Sequence, residues 1–319
     1  MRRLFLFLIL IVSSCSSASK IYERTEMHMG TVIILKCGCR EEKLANGAFD
    51  AAFSEIARIE SVMSLYDATS ELSKLNKTGK STNLELVDVI RKAVEVSELT
   101  EGAFDITVGS LLENYDFANK KLLDKRILET KLPFVNYKDI EFDSIGVKIP
   151  QGVRLDLGGI AKGYAIDRAI GVLSSFGIKN GLVNAGGDVR MIGKKEWKIG
   201  LKHPRNDQIL KTFRFKNISV ATSGDYERYF VKEGVIYHHI INPKTGSSAR
   251  ECMSVTVISK EAIDADAFAT GVFVLGHEKG MQLLEQLDGI EGIIIYEENG
   301  TLTIKESKGM KQYYEVYPQ

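Results

Sequence analysis

The chain has 319 residues, with 42 Lys and Arg against 42 Asp and Glu, a formal net charge of zero, and 44% hydrophobic residues. Balanced charge without a Lys/Arg stripe argues against a nucleic-acid partner, whose phosphates demand a basic surface. Once the leader described next is set aside, about 300 residues remain, enough to bury a substantial core.

Arg2 and Arg3 precede an apolar run from Leu4 to Val12 and then small residues up to Cys15. Residues 1–14 read as a signal peptide and not as a span, since crossing the hydrocarbon takes roughly 20 apolar residues. The stretch Val12-Ser13-Ser14-Cys15 has the form of a lipobox, in which the Cys15 thiol is linked to diacylglycerol and becomes the new N-terminus. A plain secretory signal with an incidental Cys is the alternative. Residues 15–20 would be the lipidated Cys and its tether, and residues 21–319 the folded domain. Cys37, Cys39 and Cys252 are then an odd number, which cannot form a fully paired disulfide framework, and a zinc site would want more Cys or His at ligand spacing.

From Ile21 to Cys39 apolar and polar residues partly alternate, which predicts one or two strands. Phe49, Phe53, Ile56, Ile59 and Met63 recur at three and four, so residues 41–63 predict an amphipathic helix. Asn83 is placed to cap a second helix carrying Leu86, Val87, Ile90, Val94 and Ser97 on one face, with Gly102 ending it. The lysine-rich stretch 117–135 suggests no more than a short exposed helix. Short strands are expected near 138–143, 146–149 and 153–157. A helix then begins near Gly159 and stops at Gly177, which suits a left-handed C′ position. Residues 181–258 read as a strand-rich meander, with turns at Gly186-Gly187-Asp188, Gly193, Ser223-Gly224-Asp225 and Pro243-Lys244-Thr245-Gly246. Helices over about 262–275 and 277–286 and a hairpin turning at Glu297-Glu298-Asn299-Gly300 complete the chain. No linker, repeat or low-complexity segment divides it, so the expected class is α+β in a single large domain.

Three constellations could carry chemistry. In Asp156-Leu157-Gly158-Gly159-Ile160-Ala161-Lys162 a Gly-rich turn runs into a helix, whose unpaired N–H groups and dipole favour an anion, with Lys162 adding a cation. A Gly-Gly turn before a helix can equally be structural, and the spacing fits neither a Walker loop nor a dinucleotide fingerprint. Asp266 and Thr270, four apart, share one helix face and could hold a hard cation such as Mg2+ through oxygen. The alternative is that Asp264 and Asp266 cap the helix while Thr270 packs. In Tyr237-His238-His239-Ile240-Ile241-Asn242-Pro243, adjacent strand residues face opposite sides, so only one His can point into a given site, which argues against a two-His metal centre. A His is suited to general-base work, although a lone strand His is more often simply hydrogen-bonded. Tyr66 and Phe104 each follow a helix; by default they are core residues, and stacking on a flat ligand ring is the less common use.

Taken in order, the segments MGT (Met29 to Thr31), MSLYDATSELSKLN, GAFDITVG, DLGGIAKGYAIDRA, NAGGDVRMIG, ATSGDYERYF, HHIINPKTG and ADAFATGVFVLG resemble the ApbE flavin transferase family over nearly the whole mature chain. The resemblance implies α+β architecture with T-fold-like antiparallel sheets and packed helices. It also implies magnesium-dependent transfer of FMN from FAD to a Thr or Ser hydroxyl of an acceptor protein, with release of AMP. By similarity, Met29, Tyr66, Ala103, Phe104, Asp105, Asp156, Lys162 and Ile240 would contact FAD. Asp266 and Thr270 would bind magnesium through their side chains, and Gly159 through its carbonyl. His239 is the candidate base for the acceptor hydroxyl. Asn242 departs from the commoner Asp before the proline, which puts a second carboxylate there in doubt while leaving the turn intact.

The acceptors implied are subunits of membrane electron-transport complexes carrying a Ser/Thr-Gly-Ala-Thr-like segment. The implied location is lipid-anchored to the bacterial cell membrane, facing the periplasm or the cell exterior. Water in place of the protein hydroxyl would give an FAD pyrophosphatase yielding FMN and AMP; a large ring at Tyr66, able to shield the phosphate, favours transfer. A periplasmic flavin-binding lipoprotein without catalysis is the rival from another class, and a metal poised at a pyrophosphate argues against it.

Overall fold

The computed structural model describes residues 19–117 and 119–314; the expected signal segment and the lipobox Cys15 lie outside them. Among the described residues no helix is long and apolar enough to cross a membrane.

The centre is an eight-stranded sheet made of β1 (Lys20–His28), β2 (Thr31–Cys39), β3 (Gly181–Ala185), β4 (Asp188–Ile192), β5 (Ser219–Gly224), β6 (Ser254–Ser259), β7 (Glu291–Glu298) and β8 (Thr301–Glu306). The strands lie side by side in chain order, and every neighbouring pair is antiparallel. Tight turns join three of these pairs. Met29 and Gly30, Gly186 and Gly187, and Asn299 and Gly300 all have positive φ, which is what two-residue hairpins need to match strand twist. The remaining strands are joined by longer excursions, and these excursions build the rest of the molecule.

The longest, between β2 and β3, carries α1 (Glu42–Met63), α2 (Glu71–Thr78), α3 (Leu84–Leu99) and α4 (Ala161–Ser175). α5 (Ala262–Leu275) and α6 (His277–Leu284) lie between β6 and β7. The apolar stripe of α1 is buried as its spacing predicts, Phe49 and Phe53 packing in one core with Ile33 and Leu35 of β2 and Val183 of β3. Asn83 caps α3 by accepting the Leu86 N–H at 2.9 Å. Gly177, at φ +76°, ends α4 while the Ile178 N–H returns to the Leu173 carbonyl. The predicted exposed helix in the lysine-rich stretch is Lys125–Lys131.

The expectation of three strands between 138 and 157 is corrected. Glu141–Phe142 and Val147–Lys148 do pair, but residues 137–139 form a 3-10 turn, and residues 153–157 join no ladder. There the Asn76 amide holds both backbone groups of Leu155, Ser110 Oγ accepts the Arg154 N–H, and the Ile106 carbonyl accepts that of Asp156. Val153, Leu155 and Leu157 are buried alternately, so the segment has a strand's periodicity without a strand's partner.

The sheet has two different faces. On one, Ala221, Val255, Val257 and Ile294 pack with the helices. On the other, Val220, Ile258, Ile293 and Ile295 pack against Leu201, Phe213 and Phe215 of a separate hairpin, Trp197–Lys202 with Ile209–Phe215. α4 and α5 cross on the helical face at Gly163, where a Cβ would stand 2.3 Å from the Ala262 carbonyl oxygen. Only glycine permits that approach. Asp167 of α4 then caps α5, accepting the N–H groups of Ala262 and Ile263 at 2.7 and 3.0 Å.

Candidate active site

The α4–α5 crossing brings the Gly-rich turn and the Asp266–Thr270 pair together. Asp156 opens the turn by accepting the Gly158 N–H at 2.7 Å, an Asx turn, and burial raises its carboxyl above the ordinary range. The chain then enters α4 with Gly163 donating its N–H to Asp266 Oδ2 at 2.9 Å. The positive helix end therefore already holds one anion, and that anion is the protein's own carboxylate. Lys162 sits 3.3 Å from Asp266 Oδ1 and bonds Asp188 on its other side.

Asp188 was not among the residues the sequence pointed to as ligands. It follows the Gly186-Gly187 turn at the start of β4, where the sequence reads only as turn chemistry. A carboxylate placed directly after two glycines at a strand start was the available signal. Its Oδ1 also accepts the Thr222 N–H at 3.0 Å, which fixes it across to β5. The side chains of Asp188 and Asp266 are each 6% exposed, and that of Lys162 is 30% exposed. Burial works against the Lys162 charge, but the two carboxylates outweigh it and hold the ammonium above the usual lysine range. Burial pushes Asp266 upward and Lys162 opposes it. Lys162 is thus the neutralising centre of a buried carboxylate pair.

One turn along α5, Thr270 Oγ1 lies 3.1 Å from Ser223 Oγ of β5, a second residue sequence reasoning did not single out. A Cβ on Gly159 would be 3.1 Å from both Thr270 Oγ1 and the Phe104 ring, so glycine is what lets the turn rest against α5. Among the described residues no three His, Cys, Asp or Glu side chains gather as a metal cage. A carboxylate, a hydroxyl and the carbonyl of a glycine packed against that hydroxyl are nevertheless hard oxygen donors, the kind magnesium takes.

The strand Val235–His238 ends between the two histidines, so strand alternation does not govern the pair, and their settings differ. His238 is 2% exposed, with Nε2 at 2.6 Å from the Ala249 carbonyl and its ring edge-on to Phe273. His239 donates its main-chain N–H to the Arg228 carbonyl, while its Nδ1 is buried without a hydrogen-bond partner. Burial, then Arg228 and His238, push the His239 imidazole down to about 4, so it is neutral near pH 7. Ile240 is 6% exposed, and its N–H and carbonyl already bond His238 Nδ1 and the Ala249 N–H. Asn242 makes its turn as expected, its side chain accepting the Lys244 N–H.

Ala103, Phe104 and Asp105 are all buried. The oxygens of Asp105 accept from Thr107 N, Thr107 Oγ1 and Tyr137 N at 2.8, 2.6 and 2.9 Å, so this carboxylate pins its own loop. Met29 occupies the β1–β2 turn with its N–H on Glu60 at 2.8 Å. Tyr66 is 88% exposed, the opposite of the core default for an aromatic. Of the residues singled out from sequence, Gly159, Lys162, Asp266, Thr270 and Phe104 are drawn together by these contacts, whereas Met29, Tyr66 and Ile240 lie outside this bonded set.

Residues 29–294 match the ApbE family. The chain is 31% identical over 298 residues to an FAD:protein FMN transferase of Vibrio cholerae, covering 87% of this chain and 88% of that protein. It is 32% identical over 292 residues to one of Klebsiella pneumoniae, with 88% and 90% covered. A crystal structure of the ApbE protein of Thermotoga maritima superposes with a TM-score of 0.86 at 36% identity, covering 93% of this chain and all of that one. With the matched region spanning most of the sequence and taking in the helical layer, the site and the sheet from β2 into β7, the chain belongs to the ApbE family.

Proposed function

We propose that this protein is an FAD:protein FMN transferase, acting with magnesium on a Thr or Ser hydroxyl of an acceptor protein and releasing AMP. The observation that carries the reading is the buried Lys162–Asp188–Asp266 cluster set against Thr270, Ser223 and the Gly159 turn. Splitting a pyrophosphate needs charge neutralisation and positioning more than covalent help from the protein. Relatives about 30% identical over most of their length carry that activity in their names.

In this reading the acceptor oxygen attacks the FMN-side phosphorus, an oxygen–phosphorus bond forms, and the bond to AMP breaks. His239, neutral with an unpaired Nδ1, takes the hydroxyl proton. Asp266, Thr270 and the Gly159 carbonyl would hold the magnesium, which would lower the negative charge on the pyrophosphate. Met29, Tyr66, Ala103, Phe104, Asp105, Asp156, Lys162 and Ile240 are the proposed FAD contacts. Because Ala103 to Asp105 and Ile240 are buried, their part would be played by main-chain groups and side-chain edges. The proposed setting is a lipid-anchored protein outside the cytoplasm, modifying subunits of membrane electron-transport complexes.

Incubating the full chain with FAD, magnesium and co-expressed candidate acceptors tests this. Transfer adds the mass of FMN to an acceptor and makes its band fluorescent, with AMP released in equal amount. AMP and free FMN without labelled protein would replace transfer by hydrolysis. That second outcome is kept in view because Tyr66 is 88% exposed, so any shielding of the phosphate from water depends on where this ring sits over bound FAD. FAD left intact would end both readings.

A further inference from the structure

The second face of the sheet holds a cavity that the site above does not use. It lies between β5, β6 and the separate hairpin of residues 197–215, with a volume of about 220 Å³. Leu201, Phe213, Val220 and Ile258 form apolar walls, and Thr222, Thr256 and Ser254 add hydroxyls. Thr222 and Thr256 bond each other at 2.9 Å. Ser254 is 1% exposed, and its hydroxyl faces the Tyr226 phenol. The exposed residues Gly186, Gly187, Lys202 and Glu227 place the mouth at the turn that also sets Asp188.

Two features tie this cavity to the reaction. Thr222 lines it while its own N–H bonds Asp188, so wall and ion cluster share one residue. None of the residues proposed to touch FAD lines it; Ser223 and Thr270 of the cluster lie across the sheet, on the helical face. In-line displacement at phosphorus brings the nucleophile in opposite the leaving group, so the acceptor must arrive from a side the AMP half leaves free.

We propose that this cavity receives a side chain of the acceptor polypeptide next to the modified hydroxyl, and so selects which Thr or Ser is labelled. The inference rests on the transferase reading and names the specificity determinant of that reaction. A cavity of about 150 Å³ holds a benzene ring, so the present one admits an aliphatic or threonine-like side chain with room to discriminate by size. The hydroxyls of Thr222, Thr256 and Ser254 place polar contacts beside the hydrocarbon of that wall.

The test uses the full chain, FAD, magnesium and short single-threonine segments fused to a carrier protein, with the neighbouring residue varied from Gly through Ala, Val and Leu to Trp. FMN transfer is read by mass, and FAD affinity by flavin fluorescence. The expected result is a dependence of kcat/KM on neighbour size of about ten-fold or more. Ile199→Trp, which fills the cavity from the half-buried hairpin, should lower kcat/KM for the best segment by about ten-fold with FAD affinity unchanged. Ile199→Ala, which enlarges it and guards against misfolding of the first variant, should move the optimum to a larger neighbour. Transfer indifferent to neighbour size and to both variants would overturn the proposal alone, as would a parallel loss of FAD affinity, which would assign the cavity to the dinucleotide. AMP release with no FMN on any segment would overturn the transferase reading and the proposal with it.

Discussion

Thr222 and Ser223 are neighbours on one strand, yet they belong to different halves of the molecule. Ser223 points to the helical face, where its hydroxyl meets Thr270 in a polar site built on α4 and α5. Thr222 points the other way, to a largely apolar cavity under a hairpin, and meets Thr256. The helical face concentrates charge-bearing groups: a lysine, two aspartates and a helix end within one bonded cluster. The hairpin face has hydroxyls and hydrocarbon. Strand alternation lets a single motif supply both, one face suited to handling phosphate and the other to reading shape.

The sharpest way to break that division is at Asp266. Asp266→Ala removes the carboxylate shared by Lys162, the Gly163 N–H and the proposed metal site. Transfer should fall by about 10³-fold, while carrier segments still bind the hairpin face. Equal loss of segment binding, measured by fluorescence anisotropy, would show that the two faces are not separate.

Next in size is Lys162→Met, which leaves Asp188 and Asp266 facing each other without their cation. Breaking a buried pair in this way costs roughly 3 kcal/mol, to be read from denaturant unfolding. Added magnesium should restore part of it by supplying positive charge to the same carboxylates. No rescue would place the metal elsewhere.

His239→Asn should lower transfer by about 10²-fold with FAD affinity within about two-fold. Because the folded imidazole is held down to about 4, the acid limb it contributes to kcat/KM should lie near pH 4 and not near its ordinary 6.5. A limb at 6.5 that vanishes in the variant would mean the ring is solvated in the working enzyme.

The smallest effect lies outside the ion cluster and the hairpin cavity, where Glu55 of α1 bonds Arg168 of α4, and serves as a control. Glu55 is held down to about 2 from 4.5, first by its bond to Arg58 and then, against desolvation, by Arg168. A depressed carboxylate stabilises the fold fully above about pH 4.5, and that stabilisation is lost as pH falls from there to about 2. Glu55→Gln should therefore raise the pH midpoint of acid unfolding and cost about 1 kcal/mol at neutral pH, the surface setting screening the rest. FMN transfer should be unchanged.

Much of the fold could be read before any coordinates, because its signals are local. The apolar stripe of residues 41–63, the Asn83 cap, the Gly177 stop and the turns at Gly186-Gly187 and Asn299-Gly300 each depend on residues within a few positions of one another. The segment 153–157 shows the limit of that reading. Its alternation records which side is buried, and burial on one side does not specify whether a strand or the Asn76 side chain takes the backbone groups.

The candidate site divides along the same line. Asp266 and Thr270 were legible because helical spacing sets them on one face, and Gly159 because a glycine pair before a helix carries its own reason. Asp188 carried only the faint signal of a carboxylate after two glycines and Ser223 none, since what makes them site residues is the position of β4 and β5 beneath a crossing of two helices 99 residues apart in number, Gly163 and Ala262. That Asp105 is buried and pins its own loop while Tyr66 is exposed was likewise out of reach, because burial and hydrogen-bond partners are set by distant chain. The sequence by itself determined most helices and hairpins, the family and the inventory of chemical groups, all carried by short-range pattern. Which carboxylate pins a loop, which neutralises a lysine, and which face of the sheet each hydroxyl joins were decided only by tertiary packing, because charge and solvation depend on what lies across space and not on what lies next in the chain.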